Sequence, residues 1–209
     1  MTRVVIADDQ EMVRHGFRMI LDAQPDMRVV GEAADGARAV ETVRALRPDV
    51  LLADIRMPVM SGLDVVRELA ADAVKVVVVT TFDVDEYVHR ALRDGAAGFL
   101  LKRSGPGLLV EAVRAAVAGD ALISPSITVR LLRHMRSPAT DGAARPALTE
   151  RETEVARRVA TGETNAEIGA RLFITPGTVK THLAAVQRKI GARNRVNVAT
   201  WAWHAGLMD

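Results

Sequence analysis

Five polar side chains carry the chemistry open to this chain: Asp8, Asp9, Asp54, Thr80 and Lys102. Asp8 and Asp9 directly follow the apolar run Arg3–Ala7, and Asp54 follows Asp49–Ala53. Thr80 closes the run Lys75–Thr80, and Lys102 follows Ala97–Leu101. Converging carboxylates without a counter-charge raise one another's pKa and resist ionisation. A divalent cation relieves that cost. An all-oxygen set of this size suits Mg²⁺, which keeps several waters and takes one or two carboxylates plus a phosphoryl oxygen. The Thr80 hydroxyl and the Lys102 ammonium add donors for an anion. Taken singly, these residues have plainer readings. Asp8 or Asp9 can cap a helix beginning near Gln10, Thr80 can be a simple strand-end hydroxyl, and Lys102 can be a solvated surface lysine. Five suitable groups on five correctly placed strand ends are much harder to dismiss, and together they suit a site for a divalent cation and an anion.

Such a site requires neighbouring strand ends. The runs above, with Met27–Ala33, alternate with helical stretches near 10–23, 35–46, 61–72, 84–94 and 104–119. That alternation predicts an α/β fold with a doubly wound, five-stranded parallel sheet. The β-branched run Val76–Val79 lacks polar alternation, as expected of a strand covered on both faces. Functional groups of such sheets gather at the carboxyl ends of the strands, where all five residues fall. Residues 124–136 predict another helix, and 137–146, bracketed by prolines, read as a flexible linker. Beyond it lie four helical stretches near 149–161, 164–172, 176–191 and 195–206, an all-α unit. Thr149 and Glu152 form a capping-box pattern, and Thr175-Pro176 sets a cap before a proline at the first helical position. The chain thus divides into 1–120, a connecting segment 121–147, and 148–209.

The net charge of +2 hides an asymmetry. Residues 1–123 hold 15 Lys/Arg against 19 Asp/Glu, residues 124–145 hold 4 against 1, and residues 146–209 hold 9 against 6. A basic rear half suits an anionic polymer. No apolar run nears the roughly 18 residues of a membrane span, and no leader pattern precedes the first strand. The chain has no cysteine, which excludes disulfides and thiolate metal sites and fits a reducing cytosol.

Residues 1–120 resemble the receiver domain of two-component response regulators, and Asp54-Ile-Arg-Met-Pro-Val-Met-Ser-Gly-Leu63 resembles its phosphorylation segment. The resemblance implies a flavodoxin-like fold in which Asp54 accepts phosphoryl from a sensor histidine kinase. It implies Mg²⁺ on Asp9, Asp54 and the Arg56 backbone carbonyl, with Asp8 assisting through water. Thr80 becomes the switch hydroxyl, Lys102 the phosphoryl-binding amine, and Phe99 the switch aromatic; the residue type alone reads Phe99 as core. Pro58 and Gly62 shape the loop after the acceptor. Ser61 stands where the family often has Asp or Asn.

Leu148–Val155, Asn165–Leu172 and Thr175–His182 resemble a LuxR-type helix-turn-helix, and with the receiver they indicate the NarL/FixJ family. The resemblance makes 164–172 the supporting helix and 176–191 the recognition helix. On that helix Lys180, Thr181, Ala184 and Arg188 fall broadly on one side, while Val179, Leu183, Val186 and Ile190 can face a core. Thr178 and His182 complete the candidate DNA contacts, His182 as a packing or phosphate-contacting residue. Ala184 sits where some relatives carry a basic contact. Val196, Val198, Ala199, Trp201 and Ala202 in the last helix either pair two DNA-bound domains, as is common in the family, or pack against the other three helices.

The implied protein is a cytoplasmic transcription regulator, not an enzyme beyond its own phosphoryl transfer and dephosphorylation. Its partners are a sensor histidine kinase, double-stranded promoter DNA, a second copy on phosphorylation, and RNA polymerase. A phosphatase of the haloacid-dehalogenase type would need a second Asp two residues after the nucleophile, where Arg56 stands. A DNA-binding protein with a merely dimerising front domain leaves the five polar residues without a role. The flexible linker implies that pairing of receivers, rather than strain, carries the signal.

Overall fold

The computed structural model describes residues 1–81, 84–123 and 148–208. The helix expected at 124–136 and the linker at 137–146 lie outside the described residues. The first unit alternates β1 (Thr2–Ala7), α1 (Glu11–Asp22), β2 (Met27–Ala33), α2 (Gly36–Leu46), β3 (Val50–Ala53), α3 (Gly62–Glu68), β4 (Lys75–Thr80), α4 (Asp85–Asp94), β5 (Gly98–Leu101) and α5 (Pro106–Ala118). The sheet has one strand more than the five expected. Leu122 and Ile123, assigned above to the connecting segment, form β6 and pair in parallel with Gly98 and Phe99 of β5. Two residues are too short for a periodicity to announce, so only the exposed edge of β5 identifies them.

The strand order is β2-β1-β3-β4-β5-β6, and every pairing is parallel. Side chains alternate between the two faces. Val5, Ala7, Leu51, Ala53, Val76 and Val78 pack with α2, α3 and α4, while Val4, Ile6, Val50, Leu52, Val77 and Val79 pack with α1 and α5. Burial on both faces accounts for the unbroken β-branched runs. The chain leaves β1 in opposite directions toward β2 and β3, so a crevice opens at the carboxyl ends of β1 and β3.

The second unit is α6 (Glu150–Ala160), α7 (Asn165–Leu172), α8 (Pro176–Ile190) and α9 (Arg195–His204). Val155, Val159, Ile168, Leu172, Val179, Leu183, Val186 and Val198 make its separate core. The capping box at Thr149 and Glu152 is present, and Thr164 with Glu167 forms a second one. Thr175 caps α8 by accepting from the Thr178 N–H. Val198 and Ala202 are buried within this unit, Ala199 packs against its core, and Val196 packs against the core of the first unit. Four of the side chains considered for pairing are therefore already covered. Among the described residues no helix is long and apolar enough to cross a membrane.

Candidate functional site

The strand ends bring together the residues that the sequence spacing singles out. Asp8 and Asp54 are buried and Asp9 is exposed; one carboxylate oxygen from each lies within 4.8 Å of the others. Lys102, at the start of a short 3-10 turn, reaches back so that its Nζ lies 2.6 Å from Asp8 Oδ2 and 3.0 Å from Asp54 Oδ2. Asp54 is fixed by its own backbone: its N–H donates to the Ala7 carbonyl at 2.9 Å, and the Ile55 N–H donates to Asp54 Oδ1 at 2.7 Å. The Gln10 N–H donates to Asp8 Oδ1 at 3.0 Å. Asp8 thus holds the turn before α1 without capping that helix, because Gln10 occupies its N-cap position and makes no side-chain capping bond.

Burial pushes the Asp8 carboxyl above the ordinary aspartate range, against the hydrogen bonds from Lys102 and the Gln10 N–H. Burial also opposes the charge on Lys102, but its hydrogen bonds to Asp8 and Asp54 outweigh that, and its pKa is raised. One ammonium thus faces three carboxylates. An all-oxygen donor set with surplus negative charge fits a hard divalent cation.

Thr80 is fully buried at the end of β4. Phe99 is fully buried in the core against α2, α3 and α4, paired in register with Val78. Arg56 lies in the loop after Asp54. That loop is tight: a Cβ on Gly62 would fall 2.0 Å from the Asp54 carbonyl oxygen, so only glycine fits there. Val59, three residues earlier, holds φ at 66° and is highly exposed, a costly conformation for a β-branched residue.

Helix α8 presents Thr178, Lys180, Thr181, Ala184 and Arg188 on its exposed side, with His182 half-buried. The basic residues between Lys180 and Arg195 do not all face outward, however. Lys189 pairs with Glu152 at 2.6 Å. Arg195 pairs with Asp120, and Arg193 donates to the Asp94 carbonyl at 3.3 Å. Lys180 itself donates to the Val117 carbonyl at 3.0 Å.

These last contacts belong to a seam between the two units, which the flexible-linker argument did not anticipate. Asn194 is buried and donates to the carbonyls of Leu92 at 2.7 Å and Ala96 at 2.8 Å, while its Oδ1 caps α9 through the Asn197 N–H. Asn165 donates to the Ala118 carbonyl at 2.9 Å, and its N–H donates to Asp120 Oδ1 at 3.1 Å. The acceptors are mostly carbonyls at the C-terminal ends of α4 and α5, where backbone acceptors lack helical partners and the helix dipole is negative. Asn194, Asn165 and Asp120 were missed from sequence. An Asn before a helical run signals a cap, and nothing in the pattern says that its amide also reaches another domain.

Two stretches of the chain match known families. Residues 4–114 match the family described as response regulator receiver domain, and residues 146–202 match bacterial regulatory proteins of the luxR family. The transcriptional regulatory protein LiaR of Bacillus subtilis is 37% identical over 211 residues, covering 100% of both chains. The probable transcriptional regulatory protein NarL of Mycobacterium tuberculosis is 37% identical, over 99% of this chain and 96% of that one. Among solved structures, the response regulator ChrA of a heme-sensing two-component system is similar with a TM-score of 0.55 and 35% identity, covering 99% of this chain and 98% of that one.

Proposed function

The chain belongs to the two-component response regulators that join a receiver to a LuxR-type DNA-binding domain, and we propose that phosphorylation of Asp54 controls its hold on promoter DNA. The convergence of Asp8, Asp9, Asp54 and Lys102 on one sheet edge carries this reading. Asp54 Oδ2 attacks phosphorus of a phosphohistidine on the kinase, and the imidazole leaves. Lys102 then exchanges part of its contact with Asp54 for a phosphoryl oxygen, and Thr80 turns its hydroxyl toward the same group. Asp9, Asp54 and the Arg56 carbonyl would hold Mg²⁺, with Asp8 behind them; the ion supplies neutralisation of phosphoryl charge.

The seam favours a release step before pairing. Helix α4 begins beyond Thr80 and ends on Asn194, so it joins the two sites directly. With Lys180 held by Val117, the resting chain keeps one of its DNA-facing cations occupied. Phosphorylation loosens the α4 contact with Asn194, frees Lys180, and lets two chains occupy a two-fold operator. Thr178, Thr181, His182, Ala184 and Arg188 then face the duplex, and Phe99 repacks with Thr80. The protein works in the cytoplasm with a sensor histidine kinase, a second copy and RNA polymerase.

Incubation with a small phosphoryl donor and Mg²⁺, read by intact mass, tests the premise. Wild type gains one phosphoryl group and Asp54→Asn gains none. Full labelling of the variant at another residue would overturn the assignment.

A further inference from the structure

The amino ends of the strands hold a second feature that phosphorylation chemistry does not use. An open cleft of about 690 Å³ lies between the receiver and the recognition helix. Arg44, Arg47 and Lys75 line it from the receiver, and Lys180 lines it from α8. Its two carboxylates are already engaged. Asp72 lies 3.8 Å from Arg44, and Asp49 accepts from the Arg3 N–H at 2.7 Å. Among the described residues, the side chains of Arg47 and Lys75 make no hydrogen bond or ion pair. Lys75 and Lys180 are both exposed at the cleft, and partial loss of surrounding water, then the Lys180 charge, places the Lys75 pKa below the usual lysine range. Four cationic side chains thus border one open cleft.

We propose that this cleft binds a small molecule carrying two or more linked phosphates, which bridges Arg47 and Lys75 of the receiver to Lys180 of the recognition helix. The volume falls in the ordinary range for small-ligand sites, and guanidinium and ammonium donors are the usual partners of phosphate oxygens. A duplex is too wide to enter while the receiver forms one wall. A ligand that bonds both sides of the seam stabilises the closed form by mass action and withholds Lys180 from DNA. Only this last consequence rests on the DNA-binding reading; the site itself requires just the observed seam.

The probe is inorganic pyrophosphate, titrated calorimetrically into the unphosphorylated full chain with chelator present, so that the acidic pocket takes no metal. One saturable site per chain is expected. Lys75→Gln and Arg47→Gly should each weaken it roughly tenfold or more, since each removes a charge-assisted bond. Arg47→Gly is chosen because Arg47 holds φ at 47°, which glycine accepts. Asn194→Asp should weaken the site as much without touching the anion. It keeps the α9 cap but turns a carboxylate onto the Leu92 and Ala96 carbonyls, opening the seam. Absence of saturable binding, binding unchanged by both cation variants, equal binding of sulfate at matched ionic strength, or full-strength binding to Asn194→Asp would each overturn the proposal.

Discussion

At the carboxyl end of the receiver sheet, side chains meet side chains: Lys102 spans Asp8 and Asp54 in a buried cluster. At the amino end, side chains meet backbone: Asn194, Asn165 and Lys180 donate to carbonyls that close α4 and α5. The ends stand one strand apart, about 20 Å at roughly 3.3 Å per residue for the six residues of β4. The first end concentrates charge in a rigid crevice. The second spreads neutral and charge-assisted hydrogen bonds over helix termini, together with the Arg195–Asp120 ion pair. A carbonyl acceptor at a helix end can return to water at little cost, whereas a buried carboxylate cannot lose its cation so cheaply. The carboxyl end is therefore suited to holding a fixed chemistry, and the amino end to opening.

The sharpest break in that comparison comes at Lys102. Lys102→Met should slow donor-dependent labelling of Asp54 roughly 100-fold, because the charge facing the transferred group is gone. Initial rates by mass spectrometry check it, and a rate within twofold of wild type would place the neutralisation elsewhere.

Asn194→Asp probes the other end. Two hydrogen bonds to carbonyls become repulsions, so unphosphorylated protein should bind duplex DNA roughly tenfold more tightly and scatter X-rays as a more extended particle. If both properties stay at wild-type values, the seam does not restrain the DNA-binding unit.

Lys180→Ala has a smaller effect because the residue serves two roles. It should lower the DNA affinity of the phosphorylated chain several-fold and reduce the slope of log affinity against log salt by about one. Filter binding across a salt series reads both quantities. An unchanged slope would remove Lys180 from the phosphate contacts.

The mildest effect lies beside the pocket. Val59→Asn should raise thermal stability by about 1 kcal/mol, since Asn tolerates the left-handed conformation that strains a β-branched residue. Calorimetric melting checks it; a lower melting temperature would mean that Val59 makes contacts worth more than the strain.

Much of the pocket was legible beforehand. Strands declare themselves by β-branched runs, and a parallel sheet puts the residues that follow those runs at one edge. Asp8, Asp9, Asp54, Thr80 and Lys102 could thus be grouped from spacing, and the structure does set the three carboxylates and Lys102 together. The helix caps at Thr149 and Thr175 were equally legible, because a cap is bonded to residues three positions away. Strand β6 was not, since two residues carry no period and its pairing depends on the open edge of β5. The sequence placed Lys180 and Arg188 on one side of their helix, but it did not show that the neighbouring Lys189, Arg193 and Arg195 are bonded within the protein. Net charge says nothing of the direction in which a long side chain points.

By itself, then, the sequence determined the alternation of strand and helix, the crevice at the carboxyl edge, the two-unit division and the family. These follow from local periodicity and from side-chain chemistry attached to known strand ends. Only the tertiary structure decided the seam, the double duty of Asn194 as cap and clamp, and the cationic cleft behind it. The acceptors of the seam are mostly backbone carbonyls, which every residue type carries alike, and its partners lie up to 105 positions apart in the chain. Which carbonyl meets which amide is settled by how two independently formed cores come to rest against each other.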